Sequence, residues 1–404
     1  MPPRQLRKLT VRTALLSAIL ITTFFDVVGH HRWIINQAAR KPRSDVGAQR
    51  IFIASTHWNN EAILRDHWNA AVLALCRHFG TENVYISIYE SGSWDDSKGA
   101  LRELNHSLQE LGVNRTIVLD PTTHQDAISQ TPGSTGWVDT PRNARELRRI
   151  PYLSYLRNLS LSPLERLRAS GVLFDKVLFL NDVVFTVADV VTLLNTNSGD
   201  YAAACSLDFS KPPSYYDTFA LRDAEGHGTV MQTWPYFRSA RSRGALKRNQ
   251  PVPVKSCWNG MVFMDATPFY NINATSLGRL RFRGIDDSLA QAHLEASECC
   301  LIHMDNPLSR TSGVWLNPDV LVGYNKLAYD TVHSREHRMS LLGYLRASWE
   351  NRIRRWLTTD WFKKMAVYLR LRQWEKEDSA HLESGVDCLI NEMQVLISNG
   401  WKHL

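Results

Sequence analysis

The chain has 404 residues, of which 44% are hydrophobic and 22% charged. That is globular composition with enough length for a large core and extensions, and it excludes disorder, collagen-like repeats and a disulfide miniprotein. The net charge of +7 lies wholly in residues 1–50, where nine Lys and Arg face only Asp26 and Asp45, so the body carries no basic field and nucleic acid is not an expected partner.

In chain order, the basic run Arg4, Arg7, Lys8 and Arg12 precedes an apolar stretch, Ala14–Phe25, relieved only by Ser17, Thr22 and Thr23. This is short for an unbroken span of about 20 residues and long enough for a signal core. An uncleaved anchor, a cleaved signal and a buried helix all remain open. The one-sided charge and the lack of a small-x-small cleavage site favour a single-pass anchor with the body lumenal. Segment 29–49, polar with Pro42 and Gly47, reads as a stem. The expected organisation is 1–28 tail and anchor, 29–49 stem, 50–335 α/β domain and 336–404 helical C-terminal extension. Sequons at Asn105, Asn114, Asn158 and Asn273 suit a secretory route. Six cysteines without a CxxC pair argue against structural zinc and allow one or two disulfides of unreadable pairing.

The body opens with a strand at 51–55, a helix over 65–78, a strand at 83–89, a helix over 98–111 and a strand at 116–119. This alternation predicts an α/β fold with a mostly parallel sheet and helices on both faces. A long loop over 120–141 and a helix over 144–170 follow. Then comes the apolar run Val177-Leu-Phe-Leu, which ends in Asn181-Asp182. Segment 201–305, aromatic and weakly periodic, reads as loops over the sheet. Beyond about 335 the chain looks helical, with Trp349, Trp356, Trp361 and Trp374 interleaved with arginines and lysines. Inward-packed tryptophans are favoured there over a membrane-surface face.

An acid at the carboxyl end of a parallel strand is placed for chemistry. Asp182, with Asn181 as neutral oxygen donor, suits a hard divalent cation that bridges a diphosphate; an ordinary turn is the competing reading. His303 and Asp305 offer a second ligand, against a His satisfied within a turn. Trp258-Asn259-Gly260 reads as a loop with an aromatic platform for a sugar face, an amide for hydroxyls and a Gly for close approach, or as a tight turn with a core Trp. Asp208, Asp217, Arg222 and Asp223 are candidates to hold sugar hydroxyls or an acceptor, with a salt-bridge network as the alternative.

Six segments in order, Ile86-Ser-Ile-Tyr-Glu-Ser-Gly-Ser, Tyr155-Leu-Arg-Asn, Val177-Leu-Phe-Leu-Asn-Asp-Val, Tyr216-Asp-Thr-Phe-Ala-Leu-Arg-Asp, Val254-Lys-Ser-Cys-Trp-Asn-Gly-Met and Ser297-Glu-Cys-Cys-Leu, resemble the fungal capsule-associated mannosyltransferases, glycosyltransferase family 69, typified by the cryptococcal α-1,3-mannosyltransferase. The likeness covers about residues 50–330. It implies a GT-A-like fold, GDP-mannose as donor, a mannose-containing glycan as acceptor and a divalent metal, Mn2+ or Mg2+. It also implies a type II membrane protein of the Golgi or another secretory compartment. Carried over by position, Asp182 with Asn181 stands for the family's metal motif, here Asn-Asp-Val and so one carboxylate short of Asp-x-Asp. Glu298 becomes the candidate acid beside the reacting carbon, with Asp182 and Asn259 as the other catalytic candidates. Arg157 is placed to meet the diphosphate, and Ser55, Glu90 and Asp95 to hold the nucleoside. Transfer of another sugar (xylose, galactose or glucose), or a non-catalytic glycan-binding role on a transferase fold, are the alternatives.

Overall fold

The computed structural model describes residues 3–39, 49–275, 278–334 and 339–404. Its centre is a ten-stranded sheet. Strand β1 (Ile51–His57) lies between β2 (Val84–Ser91) and β4 (Lys176–Leu180), parallel to both, and β3 (Asn114–Asp120) continues the parallel run beyond β2. On the other side β7 (Met261–Asp265) inserts antiparallel between β4 and β5 (Ala203–Lys211). Next to β5 comes the parallel β8 (Val314–Gly323), then the antiparallel β6 (Val252–Ser256) and the two-residue edge strand Arg222–Asp223. The expected α/β class with a mostly parallel sheet is found.

Side-chain alternation explains the layering. On β1 and β4, Phe52, Ala54, Val177 and Phe179 enter one apolar cluster, while Ile51, Ile53, Leu178 and Leu180 enter another. Sheets buried on both faces read as continuous apolar runs. Helices α2 (Asn69–Phe79), α3 (Ser97–Glu110) and α5 (Val187–Leu194) cover the second face through Val72, Leu75, Leu101, Leu104 and Val190, and α4 (Arg149–Ala169) covers the first through Leu161 and Leu164. The loops expected over 201–305 instead supply β5, β6 and β7. β5 and β7 are buried over most of their length and lack the alternation that marks a half-exposed strand, whereas β6 does alternate but spans only five residues. Likewise the residues before α4 form a hairpin, Trp137–Thr140 with Ala144–Leu147, rather than the expected loop and first helical turn.

The C-terminal extension begins as expected with two helices, α7 (Leu341–Leu357) and α8 (Trp361–Glu377). It then returns to the body: Leu389–Ile390 pairs with Glu295–Ala296, and β9 (Gln394–Ile397) and β10 (Gly400–His403) form a hairpin. Disulfides join Cys205 to Cys257, and Cys300 on helix α6 (Glu298–Asp305) to Cys388.

At the N-terminus, α1 (Pro3–Ala39) is one continuous helix, and Val11–Asn36 within it is long and apolar enough to cross a membrane. It does not end near residue 28, where the anchor was expected to give way to a stem. Its second half docks on the body, with Asp26 paired to Lys247 at 3.1 Å and to Arg352 at 3.0 Å, and His30 and Trp33 against Tyr344. The rest of the expected stem, residues 40–48, lies outside the described residues.

Candidate active site

The strand order reverses between β1 and β4, and open α/β sheets take ligands at the carboxyl ends beside such a reversal. There the loop after β1 meets the loop after β4: Asn60 donates its side-chain amide to Asp182 Oδ2 at 2.8 Å. Ser55 straps the same two strands by donating to the Leu180 carbonyl at 2.6 Å, with His57 Nε2 2.8 Å from its hydroxyl. Ser55 is thus buried framework rather than a nucleoside contact. Burial drives the Asp182 carboxyl up to about 6, against the opposing influence of Asn60 and Arg157. Among the described residues its second oxygen has no side-chain hydrogen bond. An underneutralised carboxylate at a strand end is the donor chemistry a hard cation takes, since Mg2+-type sites use one or two carboxylates plus phosphate oxygens and water.

Asn181 accepts at Oδ1 from the Trp258 indole at 3.1 Å, and its carbonyl accepts from Trp68. Trp258 itself is buried against Phe179 and Phe282 with the Arg157 guanidinium 4.6 Å over its ring. The open sugar platform expected of Trp258 is therefore occupied by a cation. Arg157 Nε donates to Glu298 Oε1 at 3.0 Å, and its terminal nitrogens make no hydrogen bond among the described residues. Glu298 is buried, with its carboxylate engaged by Arg157. Asn158, the next residue, exchanges hydrogen bonds with the Phe282 backbone, which removes its amide as a glycan acceptor in the fold.

A second group of acids lies behind this pair. Asp208, on β5 and fully buried, accepts from Asn259 Nδ2 at 3.0 Å, the Asp217 amide at 3.2 Å and the Tyr324 hydroxyl at 3.1 Å. Burial and the neighbouring Asp217 push its carboxyl up to about 6, and burial raises Asp217 as well. Asp217 accepts at Oδ1 from the Phe219 and Ala220 amides, and the Asn259 backbone also favours its charged form. Both Asn259 Nδ2 protons go inward, to Asp208 and the Asp217 carbonyl, so Asn259 fixes the acids rather than meeting a ligand. Gly260, at φ +91, brings its backbone against Val322 and Asp208, where a Cβ would stand 2.6 Å from Val322 Cγ2. Close packing of strands, not close approach of a ligand, explains this glycine.

Six expected site residues stand elsewhere. Glu90 is buried, with Lys98 Nζ 3.0 Å away and the Ser93 amide on Oε1. Asp95 accepts from Ser97 and the Glu61 amide and so ties two loops together. Arg222 spends its guanidinium on the carbonyls of Phe219, Leu221, Asp387 and Cys388, and Asp223 caps the amides of Glu225, His227 and Ser239. These two replace the expected clamp with a scaffold that anchors the C-terminal segment. The His303 ring bonds the Cys257 carbonyl at 2.6 Å, and burial lowers its pKa to about 4. It lies by the Cys205–Cys257 bridge, whose sulfurs are not thiolates, and its bonding gives no link to Asp182. Asp305 pairs with Arg283.

What sequence reading missed is a cavity of about 130 Å³ at the ends of β1 and β2, lined by His57, Trp58, His124, Arg149 and Trp401 among others. Trp58 stacks on His124 with centroids 4.3 Å apart, and Arg149 lies 3.9 Å over the Trp401 ring of the C-terminal hairpin. Trp58 Nε1, His124 Nδ1 and Arg149 Nε are buried without a hydrogen-bond partner among the described residues. Native proteins leave few such groups unpaired. The available signal was Trp58-Asn-Asn directly after the first strand.

Residues 50–305 match the family model described as cryptococcal mannosyltransferase 1. No curated protein matches the chain. Similar solved structures include the mannosyltransferase PcManGT from Pyrobaculum calidifontis in complex with GDP-Man and Mn2+, at 12% identity, with 93% of this chain and 88% of that one covered and a TM-score of 0.35. TarS 1-349 from S. aureus in complex with UDP-GlcNAc is similar at 9% identity, 84% and 69% coverage and a TM-score of 0.36.

Proposed function

The chain belongs to the family of cryptococcal mannosyltransferase 1, and from that membership we propose that it is a metal-dependent, retaining α-1,3-mannosyltransferase that uses GDP-mannose to extend a mannose-containing glycan. The observation that carries the reading is Asp182, an underneutralised carboxylate held by Asn60 at the reversal of strand order. Asp182 would hold a divalent cation, Mn2+ or Mg2+, together with diphosphate oxygens. When bound, the ion neutralises charge on the leaving diphosphate.

The remaining roles belong to the chain's own groups. Arg157, fixed by Glu298 and Trp258, turns its free terminal nitrogens to the diphosphate and adds preorganised positive charge. Asp217 offers a carboxylate oxygen to sugar hydroxyls, while Asp208, Asn259 and Tyr324 hold it in place. The cavity under Trp401 takes the base, where the stacked Trp58 and His124 supply a platform and the unpaired nitrogens supply polar contacts. Helix α1 anchors the body on the lumenal side of a secretory membrane, the Golgi in this reading; the apolar helix and two disulfides support it.

The test uses the full chain in detergent with a panel of nucleotide sugars and an α-mannoside acceptor, and reads product linkage by NMR. GDP-mannose should be used, EDTA should stop transfer, and Mn2+ should restore it. Preference for a UDP-sugar, or full activity in EDTA, overturns the reading.

A further inference from the structure

Helix α1 and helix α7 run antiparallel: Tyr344 packs on His30 and Trp33, while one to two turns later Trp349 donates to Thr23 and Arg352 pairs with Asp26. Continuing along α7 past Arg352, each residue rises about 1.5 Å, so Trp356 and Leu357 lie about 6–8 Å nearer the N-terminal half of α1. Between Val11 and Asp26 that side of the helix is left bare by the body, with Leu15, Leu16, Leu20, Phe24 and Phe25 all exposed. At the same end, the turn into α8 presents Trp361 and Phe362. Trp356, Leu357, Trp361 and Phe362 are each more than half exposed, and contiguous apolar surface of this kind marks an interaction site. Segment 353–364 also carries Arg354, Arg355, Lys363 and Lys364 against Asp360 alone.

We propose that the α7–α8 turn is a membrane-interface surface that dips into the same bilayer leaflet that α1 enters and holds the catalytic body flush against the lumenal face. The surface is continuous with the anchor, and its aromatic and basic composition is that of an interfacial element, whose apolar side buries about 5–10 Å into the boundary between headgroups and acyl chains. Trp356 stands about one helical turn beyond the Asp26 pairs, toward the bare apolar stretch of α1. The proposal rests on α1 being the anchor. It reverses the expectation that the C-terminal tryptophans pack inward, for Trp356 and Trp361; Trp374 is buried as expected.

The test reconstitutes full-length protein in nanodiscs of phosphatidylcholine and phosphatidylserine with or without dibrominated acyl chains, and compares tryptophan quenching in the wild type and a W356F/W361F variant. Most of the bromolipid quenching should vanish in the variant, while W349F should retain it. Equal quenching in wild type and variant overturns the proposal. So does the absence of quenching accompanied by a dimer crosslinked through the turn, which would make a second copy the occupant. Carbonate extraction reads the anchor separately. Protein washed off while Trp356 and Trp361 are still quenched removes the span and leaves the surface, whereas retained protein with unquenched tryptophans does the reverse.

Discussion

Asn60 and Asp182, 122 residues apart in sequence, meet through one 2.8 Å hydrogen bond that ties the loop after β1 to the loop after β4. The bond orients one carboxylate oxygen, the other makes no side-chain hydrogen bond among the described residues, and burial makes that carboxylate costly to ionise without a counter-charge.

Asp182→Asn should preserve the fold and the Asn60 contact while removing the anionic ligand. Loss of such a transition-state contact costs on the order of 10²–10⁴ in rate. Circular dichroism beside steady-state transfer assays checks this, and a native variant with a tenth or more of wild-type kcat would clear Asp182 of the role.

Arg157→Lys should raise the KM for donor about tenfold or more, because lysine lacks both the Nε that bonds Glu298 and the planar guanidinium that stacks on Trp258, while still reaching phosphate. The melting temperature should also fall, since buried Glu298 would lose its partner. An unchanged KM with a lowered melting point would make the arginine structural only.

The pH dependence has a definite sign. Asp208 is raised to about 6 in the fold, so the unfolded chain loses its proton first as pH rises. The stability this group contributes is fully present below the ordinary carboxylate pKa and is lost as pH passes through about 6, with a magnitude on the order of 3 kcal/mol or less. Asp208→Asn should therefore raise the melting temperature at pH 7.5 more than at pH 5, and differential scanning calorimetry at both values reads it. Activity runs the other way: transfer should fall below about pH 6 as Asp182 takes up a proton and cation binding weakens.

Trp401→Ala should weaken binding of GDP by about two- to thirtyfold through loss of the cation–π cover on Arg149. Calorimetric titration decides. Unchanged affinity would place the base outside the cavity under the hairpin.

Much of the first half of the fold was readable, because β1, β2 and β4 are apolar runs that end at turns, and Asp182 follows such a run directly. The acid cluster was not readable as a cluster. Asp208 sits in a strand without alternation, and its partner Tyr324 comes 116 residues later. Arg222 and Asp223 looked like ligands because charge in a loop suggests chemistry, yet their bonds go to backbone groups, which no side-chain pattern announces. The hairpin bearing Trp401 was hidden for a similar reason: two four-residue strands at the end of a helical region carry too little periodicity to register.

The docking of α1 bears on how the protein can be prepared. Cutting the chain in the stem to obtain a soluble fragment would strip the carboxylate of Asp26 from Lys247 and Arg352 and bare the Tyr344 ring that His30 and Trp33 cover. Two partly buried cations would lose their counter-ion beside a freshly exposed aromatic strip, a combination that favours aggregation. Expression designs that keep residues 11–39 and replace the exposed Leu15, Leu16, Leu20, Phe24 and Phe25 with polar residues would retain the pairing while giving up the span.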